Sequence, residues 1–147
     1  MEPFELHNVE FLNDGITDSL TQTMAPGLFY DNLKREFARA EREIQELAVL
    51  SLSLSPHAFE SLSRYEQALI EIAHDLRSQL RGGEFFARIS DNGFWILLRS
   101  NGVEAEKVMK RLHVPYSDRL THFVLAREHD HYVDWIQKMD ALHFNGD

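Results

Sequence analysis

The chain has 147 residues, 44% of them hydrophobic and 27% charged, with a formal net charge of −9 and no cysteine. That length suits one domain with a conventional core, and the missing cysteines exclude a disulfide framework and a thiolate nucleophile. Residues 1–33 carry six acids and no Lys or Arg, and the basic residues of Lys34–Arg42 are interleaved with Glu36 and Glu41, so no basic stripe exists for a nucleic-acid backbone.

No apolar run approaches the roughly 20 residues of a bilayer span, and Met1 opens no charged-then-apolar leader; the expectation is a cytoplasmic protein without a membrane partner. Residues 1–17 have no clear period and end near the turn signal Asp14-Gly15, a lead-in to a domain at 18–147. From Leu28 to Leu47, Phe29, Leu33, Phe37, Ala40, Ile44 and Leu47 recur at spacings of four and three, the stripe of a helix lying on a sheet. Leu50, Leu52 and Leu54 then alternate with Ser51, Ser53 and Ser55, which predicts a half-buried strand over 48–55, closed by Pro56. Ser63-Arg64-Tyr65-Glu66 has the form of a capping box. The helix it opens would bury Tyr65, Ala68, Leu69, Ile72, Ala73, Leu76 and Leu80 and stop at a left-handed Gly82.

Residues 84–98 hold two apolar runs, Phe85–Ile89 and Phe94–Leu98, joined at Asp91-Asn92-Gly93. Asn-Gly predicts a β-hairpin with a type I′ turn, and the aromatic and β-branched residues on both sides predict a central strand pair. Asn101 can cap a helix running to Leu112 that ends before Pro115; Leu120–Ala126 reads as a strand; Asp130 can cap a last helix burying Trp135, Ile136 and Met139. Trp95 and Trp135 read most simply as core. His129-x-His131, flanked by Glu128 and Asp130, has metal-like composition but no second ligand pair, and reads as a surface loop. His74-Asp75 stands alone on an amphipathic helix.

The hairpin resembles the GGDEF domains of diguanylate cyclases, in which a Gly-Gly-Asp/Glu-Glu-Phe turn joins a strand ending in Ala-Arg to an apolar strand. Here the turn reads Ser90-Asp91-Asn92-Gly93-Phe94, and only the Phe is kept. Gly82-Gly83-Glu84-Phe85 imitates the signature but precedes the first strand. Asp18-Ser19-Leu20-Thr21 resembles the family's Asp-x-Leu-Thr, and Met139-Asp140-Ala141-Leu142 faintly echoes its last helix without the Lys that should follow. The resemblance implies an α/β (α+β) sandwich of nucleotidyl-cyclase type, with a mostly antiparallel central sheet flanked by helices.

It also implies where chemistry would lie. The family's metal-binding carboxylates fall at Ser53 and Asn92, with Ser55 at the strand's second acid, Gly93 at the turn's neighbouring Glu, and Asp91 where a Gly admits phosphate. The loop that reads guanine is shortened to Pro56–Ser63. The expectation is therefore a bacterial, catalytically inactive domain without a Mg²⁺ cofactor, acting in cyclic di-GMP signalling as a regulatory or interaction module toward another signalling protein or a second copy of itself. Asp91-Asn92-Gly93 is more simply a good hairpin turn. Arg81-x-x-Glu84 stands where the family carries its Arg-x-x-Asp inhibitory site, which implies a receptor for cyclic di-GMP, or for GTP, assisted by Arg88. A simpler reading sets Arg81 against a helix C-terminus. A residual enzyme would need a carboxylate supply that the sequence does not offer.

Overall fold

The computed structural model describes residues 4–128 and 131–145. Four helices, α1 (Pro26–Glu43), α2 (Leu62–Gln79), α3 (Gly102–Arg111) and α4 (Tyr132–Asn145), surround four strands, β1 (Ala48–Leu54), β2 (Phe85–Ser90), β3 (Gly93–Leu98) and β4 (Leu120–Ala126). The sheet order is β2-β3-β1-β4, with every pairing antiparallel. Among the described residues no helix is long and apolar enough to cross a membrane.

The sheet is covered on both faces. Leu50, Leu52, Phe94 and Ile96 meet the Tyr65, Leu69 and Ile72 stripe of α2 and Ala105 of α3. Val49, Trp95 and Leu97 meet Phe29, Leu33 and Phe37 of α1 and Trp135 and Met139 of α4. This corrects the half-buried reading of β1: as an inner strand it also buries Ser51. Alternation in the sequence marks two chemically different faces, and here the serine face is a second interior.

Three helix boundaries differ from expectation. α1 ends at Glu43, and Ile44 turns out in the left-handed conformation (φ 53°), 92% exposed rather than in the buried stripe. α2 is capped by Ser61, whose Oγ accepts the Arg64 N–H at 3.2 Å, so Ser63 lies inside the helix. Glu66 does not close a capping box; its carboxylate accepts the Glu10 N–H at 2.7 Å. At the other end Leu80 is extended, and the left-handed glycine is Gly83 (φ +88°), not Gly82. Asn101 caps α3 as expected, accepting the Glu104 N–H at 2.8 Å. His129 and Asp130 lie outside the described residues.

The turn of the hairpin is also not type I′, since none of Asp91, Asn92 and Gly93 has positive φ. Arg88 pairs with Phe94 and Ser90 with Gly93, leaving Ile89 as an extra residue in a bulge. An ordinary turn splays a right-twisted strand pair, and a bulge restores the twist.

The lead-in segment is stitched to this hairpin from below. Arg88 and Asp18 are fully buried, with Arg88 Nη1 at 3.2 Å from Asp18 Oδ1. The same guanidinium donates to the carbonyls of Glu10 and Asp91 and lies 4.9 Å above the Phe11 ring. Asp18 Oδ2 also accepts from the Thr21 N–H at 2.9 Å and its hydroxyl at 2.7 Å. Removing one partner of a buried pair leaves the other charge uncompensated. Asp18→Ala is therefore expected to cost about 3 to 5 kcal/mol of stability, read as a lower urea midpoint; a loss under about 1 kcal/mol, the range of an exposed pair, would refute the pair's structural role.

Candidate functional site

Two places collect the residues that the sequence singles out. The first lies where β1 ends beside the hairpin turn, on the face covered by α4. Register places Ser51 opposite Trp95 and Ser53 opposite Gly93, and the bulge brings Ser90 level with Gly93. The signature positions and the β1 serines thus meet, as the resemblance implies. They meet around a residue that no sequence pattern marked, His143 of α4.

His143 bridges the sheet. Its Nδ1 lies 2.8 Å from Ser51 Oγ and its Nε2 2.9 Å from Ser90 Oγ, while the Ser90 hydroxyl donates to Asn92 Oδ1 at 3.0 Å. These directions require one tautomer: Nε2–H donates to Ser90, and Nδ1 accepts the Ser51 hydroxyl. The ring stands edge-on to Trp95 at 5.6 Å and occupies the space above Gly93, where a Cβ would collide with it. Any larger residue at position 93 would therefore have to displace the imidazole from its place between the two serines.

Beside it a cavity of about 360 Å³ is lined by Ser53, Ser55, Asn92, Thr121, His122 and His143 among others, with no carboxylate among the described residues. Mg²⁺ needs hard anionic oxygens to displace part of its hydration shell. Asp91 is the one acid at the turn, and β1 supplies none to converge with it. Among the described residues no group of three or more His, Cys, Asp and Glu side chains is placed to hold a metal ion.

The second place is a cavity of about 540 Å³ between the α2–β2 turn and α3, lined by Arg81, Glu84, Arg99 and Arg111 among others. Glu84 Oε1 accepts the Arg81 N–H at 2.9 Å, closing the turn through Gly82 and Gly83. Among the described residues the side chains of Arg81 and Arg111 form no ion pair. Arg88 is not part of this cavity: it is sealed against Asp18, which corrects its assignment as an assisting ligand residue. Arg99 and Arg111 are the arginines that sequence reasoning missed. They stand 18 and 30 positions from Arg81 in the chain, and only the sheet and α3 bring them to it. His74 is exposed on α2, apart from both places.

Burial pushes the His143 imidazole down from 6.5 to about 4, against the opposing pull of the Asp91 charge. The unfolded chain therefore takes up this proton first as pH falls. The contribution of neutral His143 is complete above about pH 6.5 and is lost between there and pH 4. Allowing for the part of the ring that water reaches, the expected loss is about 2 kcal/mol. Urea titrations of wild type and His143→Gln across this window should diverge, with the variant's profile flatter; parallel profiles would refute the assignment.

Comparison with known proteins then gives the family. The pattern described as "Diguanylate cyclase, GGDEF domain" matches residues 15–135, whereas no curated protein sequence matches. The fold is similar to the GGDEF domain of DgcB from Caulobacter crescentus, solved in complex with cyclic di-GMP (TM-score 0.75, 17% identity, 91% of each chain covered). It is similar to the diguanylate cyclase SiaD of Pseudomonas aeruginosa, solved with its activator SiaC (0.69, 21%, 88% of this chain and 57% of that one). A third similar structure is the GGDEF domain of TpbB, or YfiN, from Pseudomonas aeruginosa (0.72, 22%, 88% and 87%). At such identities the structures speak for the fold and the pattern speaks for the family: the chain belongs to the GGDEF domain family of diguanylate cyclases.

Proposed function

We propose that this GGDEF domain is non-catalytic and works by binding, as a regulatory or interaction module in cyclic di-GMP signalling. The observation that carries this reading is the His143 bridge. Joining two GTP molecules depends on positioning and on positive charge at the phosphates, with metal ions held by carboxylates. Here Ser53 and Asn92, the positions that the resemblance gives to carboxylates, offer a hydroxyl and an amide, and a neutral ring fills the space over Gly93. A protein partner is supported by the cyclase SiaD, which was solved with its activator SiaC; another signalling protein or a second copy is the partner class proposed here.

A second reading, a cyclic di-GMP receptor, is favoured by the convergence of Arg81, Arg99 and Arg111 on one cavity with Glu84 at its rim. Guanidinium forks match phosphate oxygens, and DgcB was solved with that ligand.

Purified protein incubated with GTP and either Mg²⁺ or Mn²⁺ is expected to yield no cyclic di-GMP by chromatography. The double variant Ser53→Asp, Asn92→Asp should remain inactive, since the ring of His143 still occupies the site and residues acting as a unit are not additive. Product from the wild type above a no-enzyme control would overturn the non-catalytic reading.

A further inference from the structure

Arg99 follows directly on β3 and has two neighbours competing for it. Its guanidinium lies over Gly83, where an added Cβ would stand 2.5 Å away. It is therefore seated on the α2–β2 turn that carries Arg81 and Glu84. One nitrogen donates to Glu36 Oε1 of α1 at 3.0 Å, and the side chain is 40% exposed. Arg99 also borders two cavities, the 540 Å³ one shared with Arg81 and Arg111, and another of about 600 Å³ shared with Arg39, Gln45 and Glu46.

The energies favour mobility of this side chain between two partners. The Arg99 side of this pair is open to water and the Glu36 side only 17% exposed; an ion pair in contact with solvent contributes about 1 kcal/mol, whereas a guanidinium–phosphate fork has two charge-assisted hydrogen bonds. Glu36 is not stranded if Arg99 leaves, because its Oε2 is held by Arg39 at 2.7 Å, and Arg39 in turn holds Glu43 at 2.6 Å. The carboxylate is kept below its ordinary range by these two arginines against the opposing effect of burial.

We propose that Arg99 is an exchange arm. A phosphate-bearing ligand in the Arg81–Arg111 cavity draws it from Glu36, so the ligand and the α1 ion-pair cluster compete for one guanidinium. This rests on the second reading above, that the cavity takes such a ligand, and adds the residue that couples its occupancy to α1. By linkage the competition is reciprocal: whatever loosens Glu36 from Arg99 tightens the ligand.

Calorimetric titration of the full chain with cyclic di-GMP, and separately with pyrophosphate as a phosphate-only probe, tests it. Arg99→Ala should bind roughly 10- to 100-fold more weakly, and Glu36→Gln about 2- to 5-fold more tightly. The Glu36→Gln gain should vanish in the Arg99→Ala background, with thermal melts confirming that each variant is folded. Arg81→Ala should abolish binding. If cyclic di-GMP binds but neither Arg99→Ala nor Glu36→Gln changes its affinity, the receptor reading stands and the exchange arm is overturned. If pyrophosphate shows the expected pattern and cyclic di-GMP does not bind, the exchange arm stands and the receptor reading falls. Binding of neither probe overturns both.

Discussion

A guanidinium closed off from water organises the centre of this fold. Arg88 points from β2 toward α2 and finds there the carboxylate of Asp18, the carbonyls of Glu10 and Asp91, and the ring of Phe11. A buried charge without such partners would cost several kcal/mol, so the segment before α1 is bound to lie under the hairpin. Asp18 then orders its own loop through Thr21, and Thr23 is tied in by its hydroxyl. Asp91, whose carbonyl accepts from Arg88 Nη2, is also the first residue of the turn, so the same guanidinium holds the hairpin's end and the lead-in at once.

With the hairpin held, the remaining layers follow from burial. β1 lies between β3 and β4 and is apolar toward α2 and α3, while its other face combines Val49 with Ser51. A buried hydroxyl needs a partner, and His143 of α4 supplies it. The imidazole is itself buried enough to be held neutral. A chain of uncharged hydrogen bonds, Ser51 to His143 to Ser90 to Asn92, thus takes the position at which the family resemblance implies carboxylates and a cation. A neutral ring costs less there than an unpaired cation, and a Cβ at position 93 would press against it.

The cavity at the far side of the sheet is polar in another way. Its arginines come from a helix exit, a strand end and a helix end, and two of them have no ion-pair partner among the described residues. Glu84 is partly committed to its own turn through the Arg81 amide.

Much of the architecture is legible without coordinates. The helical stripe at Phe29, Leu33 and Phe37, the alternation through Leu50–Leu54, the two apolar runs around Asp91-Asn92, and the cap at Asn101 each encode local structure in a local pattern, and the structure has each element in that order. The absence of carboxylates at Ser53 and Asn92 is likewise a property of the chain. What local pattern could not decide is which face meets what. Whether Ser51 faces water or a second helix layer, whether the turn takes positive φ or a bulge, whether Arg88 points to solvent or to Asp18 across 70 positions of chain, and which residue of the last helix lands over Gly93 all depend on contacts between distant segments. Such contacts carry no sequence period. The sequence by itself determined the elements and their order, because these are written in neighbouring residues; only the tertiary structure decided that His143 lies between Ser51 and Ser90 and that Arg99 and Arg111 join Arg81, because packing distant residues is what gives those side chains their partners.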